Sequence, residues 1–209
     1  MKTSISILKS KIPRIDCINN LNKTDTDYIH VDVMDGIFVP NKSLDIDEIN
    51  TIFKDNNKLL DIHLMVSDPA YYINNININN INDIIIHAEI DKDINSLIDL
   101  IHSKGYKAGI AINPETNINK IYKYLGNIDI ILVMGVHPGA GGQKLITSTI
   151  DKIKGLSKLR SMINYKYLLS FDGGVNDSTR PLLDGLDIIV SGSYVCMSDN
   201  YQEKITSLR

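Results

Sequence analysis

Eight short apolar runs divide this chain of 209 residues into units of about 26 residues, and that rhythm leaves few folds open. The runs are Ser4–Leu8, Tyr28–Val33, Leu59–Val66, Asp83–His87, Lys107–Ile112, Ile128–Met134, Tyr167–Phe171 and Asp187–Val190. Each has the length of a strand. Between them, apolar residues recur on one helical face: Ile94, Leu97, Ile98 and Ile101, then Ile150, Ile153, Leu156 and Leu159. Strands alternating with helices pair in parallel through right-handed crossovers. The chain is therefore expected to form one α/β domain over residues 1–209, a single (β/α)8 TIM barrel. An open doubly wound sheet is the alternative. No Gly-x-Gly-x-x-Gly follows the first run, which weighs against a dinucleotide-binding sheet.

Composition removes several function classes. A net charge of −3 argues against a nucleic-acid or anionic-membrane surface. No apolar run approaches the roughly 20 residues of a membrane span. Lys9, Lys11 and Arg14 interrupt the start of the chain, so Met1–Ile15 is read as no signal peptide. Cys17 and Cys196 lack Cys-x-x-Cys spacing and are expected to be reduced thiols in a cytoplasmic protein. The low-complexity stretch Asn74–Asn82 (NNININNIN) is expected to form the third helix and its following loop, because its isoleucines recur near helical spacing.

The chemistry lies at the C-terminal ends of the strands. Residues two apart in a strand share a face. His30, Asp32 and Met34 therefore point one way and Ile29, Val31 and Val33 the other. Helices cover the apolar face, so the polar set points into the barrel. His63 and Met65 do the same on the third run, and Asp172 ends the seventh. Active sites of such barrels form at this rim. His30, Asp32, His63 and Asp172 aimed at one point fit one divalent metal cation: Zn2+ or Fe2+ by imidazole preference, Mn2+ or Co2+ by carboxylate. His87 is followed by Glu89 on the same face, which can simply pair with it, so His87 is read as no more than a wall of the site. His102 falls in a helical stretch and reads as a surface residue.

Glycines supply the second signal. Gly135-Val-His-Pro-Gly-Ala-Gly-Gly-Gln143 follows the sixth run, Gly173-Gly174 the seventh and Gly192-Ser193 the eighth. Backbone amides on adjacent loops can face a phosphate. The first loop lacks a closing Gly-Lys-Ser/Thr, so it is no Walker A motif.

These residues resemble the ribulose-phosphate 3-epimerase family along nearly the whole chain. The matching segments are Ser6-Ile-Leu8, His30-Val-Asp-Val-Met-Asp-Gly36 running on to Phe38-Val-Pro-Asn41, and Asp61-Ile-His-Leu-Met65. Asn113-Pro-Glu-Thr116, Met134, Pro138-Gly-Ala-Gly-Gly-Gln143, Asp172-Gly-Gly174 and Gly192-Ser193 follow. The resemblance implies a ribulose-phosphate-binding type of barrel and a small-molecule ketose phosphate as partner. It implies His30, Asp32, His63 and Asp172 as metal ligands. Asp32 and Asp172 double as the acid–base pair that inverts C3 through an enediolate. Met34, Met65 and Met134 would lie over the planar intermediate. Ser6 and His63 would contact substrate, as would Asp172. Gly139, Ala140, Gly141, Gly142, Gly173, Gly174, Gly192 and Ser193 would cradle the phosphate, and a homo-oligomer is expected.

The chain departs from the family pattern at five positions. Ala140 replaces a usual phenylalanine, His137 an asparagine, Gly135 a serine, Lys11 an aspartate and Ile37 a histidine. The loop changes admit a six-carbon substrate such as allulose 6-phosphate as an alternative. A non-catalytic sugar-phosphate-binding barrel is a further one. The loop Ile37–Leu44 is expected to cover the site.

Overall fold

The computed structural model describes all 209 residues. Its strands are β1 (Lys2–Ser6), β2 (Tyr28–Met34), β3 (Leu59–Met65), β4 (Ile81–His87), β5 (Lys107–Ile112), β6 (Ile130–Met134), β7 (Leu168–Asp172) and β8 (Ile188–Ser191). All pair in parallel with their sequence neighbours, and β8 closes on β1. Closure excludes the open sheet. Every strand lies on its apolar run, shifted by at most a few residues. β1 stops at Ser6, short of Leu8, because the Ser6 Oγ accepts from the Leu8 backbone N–H at 3.2 Å and turns the chain.

The helices are α1 (Arg14–Leu21), α2 (Ile46–Ile52), α3 (Pro69–Asn75), α4 (Ile94–Ser103), α5 (Ile150–Ile163), α6 (Ser193–Cys196) and α7 (Tyr201–Ser207). In α4 the expected stripe is the buried one: Ile94, Leu97, Ile98 and Ile101 face the strands. The crossovers after β5 and β7 carry only 3-10 turns, Ile118–Tyr124 and Arg180–Leu182. Pro181 sits inside the second and Gly185 follows with φ +84°, a pairing that favours a tight turn over a longer helix. The Asn74–Asn82 stretch departs from helical spacing sooner than its isoleucines suggest. α3 ends at Asn75, Ile76 is already extended, and Asn80 turns through φ +67° into β4. Burial of Ile73 and Ile76 accounts for the spacing without a longer helix.

One apolar cluster lies between the strands and the outer layer and includes Ile29, Val31, Val33, Ile62, Leu64 and Phe171. The barrel interior is split. Ile85, Ala111, Ile130, Leu132, Met134 and Val190 form an apolar patch inside it. Ser4, Ser6, His30, Asp32, Asp61, His63, Asp83 and His87 are buried polar residues of β1 to β4. That asymmetry places most of the ionisable chemistry on one side of the interior, with Asp172 reaching it from β7. Cys17 and Cys196 are free and buried, with sulfurs 3.5 Å apart. No helix is long and apolar enough to cross a membrane.

Candidate active site

Strand register brings the four predicted ligands together. Asp32 lies beside His63 and Met34 beside Met65 across β2 and β3, while Met134 lies beside Asp172 across β6 and β7. His63 Nδ1 is 3.2 Å from Asp32 Oδ1, His30 Nε2 is 3.3 Å from the same oxygen, and the two ring nitrogens are 3.4 Å apart. A donor atom of Asp172 joins them, all four within 4.8 Å of one another. Donors about 2.0–2.1 Å from a tetrahedral ion sit about 3.3–3.4 Å from each other, so three of these atoms already have the spacing of such a site. Two imidazoles and two carboxylates also suit a divalent transition metal.

Electrostatics favour a cation here. Burial works against charge on His30, but Asp61 and Asp32 on either side outweigh it and hold the ring protonated. Burial would raise Asp32, yet the charge and hydrogen bonds of His30, with those of His63, keep its carboxyl well below the usual range. Burial lowers His63 to about 4. Burial lifts Asp172 to about 7, with Asp32 and Asp61 adding to it against the opposing charge of His30. A metal held through His30 Nε2 would take the place of the proton there. Behind His30, Asp61 Oδ2 accepts from Nδ1–H at 2.8 Å, and Ser4 Oγ donates to the same oxygen at 3.1 Å. Burial, reinforced by the Asp61 charge, pushes the neighbouring Asp83 carboxyl well above the usual range.

Above this cluster opens a cavity of about 800 Å³. Ser6, Asp32, Met65, Met134, Asp172 and the predicted glycines with Ala140 and Ser193 line it. Ser6 Oγ donates to Asp32 Oδ2 at 2.6 Å, so this serine also fixes the carboxylate. His30 and His63 are fully buried beneath the floor. Met34 is not on the wall: it is buried against Val39 and Met65. Gly174 has φ +71°, and a Cβ there would lie 2.6 Å from the Leu145 backbone nitrogen, so the β7 loop needs glycine to pack under the β6 loop.

The loop 37–44 packs against the rim, though none of its residues lines the cavity. Phe38 sits 4.9 Å from the His87 ring, and Asn41 Nδ2 donates to Gly139 O at 2.8 Å. Asp35 anchors its start. Its Oδ1 accepts from the Ile37 and Phe38 amides at 2.8 and 2.9 Å, and its Oδ2 accepts from Ser67 N at 2.6 Å and Ser67 Oγ at 2.7 Å. Burial would raise this carboxyl, but those bonds outweigh it and hold it at about 2, against an ordinary 3.8. A depressed carboxylate stabilises the fold above its unfolded pKa and loses that contribution as pH falls through the folded one. Amide exchange across residues 36–42 is therefore expected to accelerate as pH drops from 4 towards about 2, beyond the intrinsic trend. Asp35→Ala should show the fast exchange already at neutral pH, at a cost of about 1–3 kcal/mol for the unsatisfied donors.

Three residues carry more than the sequence indicated. Asp61 was legible as the residue sharing a face with His63, but nothing in the alternation says it would hold His30. His87 contacts His63 as well as Glu89, through Nε2 atoms 2.8 Å apart. Lys9 had no signal beyond its charge, yet it lines the cavity and its side chain packs against Gly141 and Gly142. His102 pairs with Asp129 at 2.9 Å on the surface, as expected.

Known proteins resemble this chain in fold and in sequence. The fold resembles 3-keto-L-gulonate-6-phosphate decarboxylase from Vibrio cholerae, with TM-score 0.70, 15% identity, and 100% of this chain and 95% of that one covered. In sequence the chain is 34% identical to a ribulose-phosphate 3-epimerase of Bacillus subtilis over 213 residues, covering 100% of this chain and 98% of the relative. It is 35% identical to that of Helicobacter pylori over 188 residues, covering 89% and 87%. The family model described as "Ribulose-phosphate 3 epimerase family" matches residues 2–196. A barrel whose register gathers two histidines and two aspartates under a glycine-lined rim, and whose sequence matches along its length, belongs to the ribulose-phosphate 3-epimerase family of isomerases.

Proposed function

We propose that this epimerase interconverts D-ribulose 5-phosphate and D-xylulose 5-phosphate by two-sided proton transfer at C3, with Asp32 and Asp172 as the acid–base pair. The observation that carries this reading is the convergence of both carboxyls, with His30 and His63, at the floor of one cavity whose rim is glycine-rich. One carboxylate removes the C3 proton, which is acidic because it lies alpha to the C2 ketone. The bonding pair moves into an enediolate. The other carboxyl, carrying a proton, delivers it to the opposite face, and the configuration inverts. His30, Asp32, His63 and Asp172 would hold a divalent cation (Zn2+, Fe2+, Mn2+ or Co2+). When bound, that ion supplies Lewis-acid stabilisation of negative charge developing on the substrate oxygens. Met65 and Met134 present polarizable sulfur to the planar intermediate, with Met34 packed behind.

Backbone amides of Gly139 to Gly142, Gly173, Gly174, Gly192 and Ser193 would receive the phosphate, and Lys9 adds a positive charge beside the first of these loops. Lys9→Met is expected to raise KM several-fold while leaving kcat nearly unchanged, because a charge at the phosphate end binds ground and transition states alike. Steady-state kinetics at two salt concentrations checks this.

Proton NMR in D2O tests the reaction itself. The metal-loaded enzyme should exchange the C3 proton of ribulose 5-phosphate for deuterium while xylulose 5-phosphate accumulates. Ala140 stands exposed where the family usually carries phenylalanine, so allulose 6-phosphate is the substrate to compare. A strong preference for it would move the assignment to six-carbon sugars. Exchange on neither would leave a binding barrel.

A further inference from the structure

We infer that His87 and Glu89 are positioning residues that fix the tautomer of His63, so that the Nδ1 lone pair of His63 faces the metal cluster. The inference rests on the metal reading proposed above and extends it to residues outside the four ligands. The argument is a proton count along a chain of hydrogen bonds. Glu89 Oε1 accepts from the Asn113 backbone N–H at 2.9 Å and from the Thr116 hydroxyl. Its other oxygen, Oε2, lies 3.1 Å from His87 Nδ1. Burial works to raise this carboxyl, but the bonds from His87, Thr116 and Asn113 outweigh it and hold it at about 2. An ionised carboxylate only accepts, so His87 Nδ1 must carry a proton.

His87 Nε2 is the ring's remaining position, and with a cation held through His63 Nδ1 it would be the acceptor. The atom facing it, at 2.8 Å, is His63 Nε2. A cation held through His63 Nδ1 would leave that ring's proton on Nε2, where it donates to His87 in place of the Nδ1–H bond to Asp32. Nδ1 is the atom 3.2 Å from Asp32 Oδ1 and 3.4 Å from His30 Nε2, inside the candidate ligand cluster. His30 is set in the opposite sense, since Asp61 Oδ2 accepts from its Nδ1–H and leaves Nε2 for the cluster. Each histidine ligand thus has its outer nitrogen tied, one to a carboxylate directly and the other to a carboxylate through a second imidazole. His87 is fully buried, and Phe38 of the loop 37–44 packs against its ring, which keeps water from competing with the relay.

Glu89→Gln tests this with almost no change of shape. The Asn113 amide and Thr116 hydroxyl hold the oxygen of the new amide, which turns its NH2 towards His87 Nδ1. That reverses the chain: His87 becomes protonated at Nε2, and His63 is driven to carry its proton at Nδ1, facing the ion. The expected result is a loss of about 10–100-fold in Zn2+ affinity by chelator competition, the usual effect of removing such a partner. Nitrogen-15 histidine NMR of the Zn2+-loaded wild type should show His87 protonated at Nδ1 and bare at Nε2, with this assignment exchanged in Glu89→Gln. The wild-type spectrum needs no variant to fold. A His87 protonated at Nε2 in the wild type, on one nitrogen or both, overturns the inference. Unaltered Zn2+ affinity in folded Glu89→Gln overturns it alone, whereas a wild type that takes up no Zn2+, Mn2+ or Co2+ overturns the metal reading with it.

Discussion

Asp172→Asn is expected to lower epimerisation by about 10²–10⁴-fold, the usual worth of a positioned acid–base group. The amide keeps the shape of the side chain and an oxygen towards the cluster but cannot shuttle a proton. Two-sided transfer makes a sharper demand than loss of activity. Asp32 remains, held by Ser6 at 2.6 Å and by the two histidines. It should still exchange the C3 proton of the epimer that presents that proton to it. Solvent deuterium is therefore expected in one substrate without formation of the other. The metal content of the variant, measured alongside, separates a lost ligand from a lost acid. Inversion at the wild-type rate would remove Asp172 from the pair.

Gly135→Ser, which restores the residue usual in the family, is expected to destabilise this protein by about 1–3 kcal/mol or more. Gly135 follows β6, and its backbone is fixed on both sides: its N–H donates to Asp172 O at 2.6 Å and its carbonyl accepts from Ile146 N at 2.8 Å. A Cβ there would lie 2.5 Å from the Phe171 ring and 2.6 Å from Gly173 O. Phe171 is fully buried in the outer core and cannot swing away. The glycine is thus the counterpart of a large neighbour, and the departure at position 135 reflects packing under the rim. For a chain of this size the loss corresponds to roughly 2–4 °C of Tm per kcal/mol. Phe171→Val should cost stability by itself through the cavity it leaves. Combined with Gly135→Ser, it should recover part of both losses, a coupling of about 0.5–3 kcal/mol. Recovery stays partial because the Gly173 carbonyl remains. Strictly additive costs by thermal unfolding would show that the ring is not the obstacle.

Much of this protein is legible in its sequence because the relevant physics is local. Alternation along a single strand already sorts His30, Asp32 and Met34 from Ile29, Val31 and Val33, and the barrel buries the two sets on opposite sides of its wall. The i, i+3, i+4 stripe of α4 is likewise a property of one segment. Four candidate ligands follow from knowing which strand end each occupies. The 3-10 crossovers and the early end of α3 at Asn75 were less visible, since helical spacing persists where burial, not helix, places the isoleucines.

What tertiary structure decided depends on distances between strands, which no single segment encodes. Strand register and the tilt of the barrel set Asp61 behind His30 and bring His87 Nε2 within 2.8 Å of His63. Closure folds Lys9, at the start of the chain, against glycines 141 and 142. The sequence thus determined the eight-unit barrel and the residue types at its rim, because strand and helix periodicity are written within each unit. Only the tertiary structure decided which nitrogen of each histidine faces the site, because a tautomer is set by hydrogen-bond partners contributed from neighbouring strands.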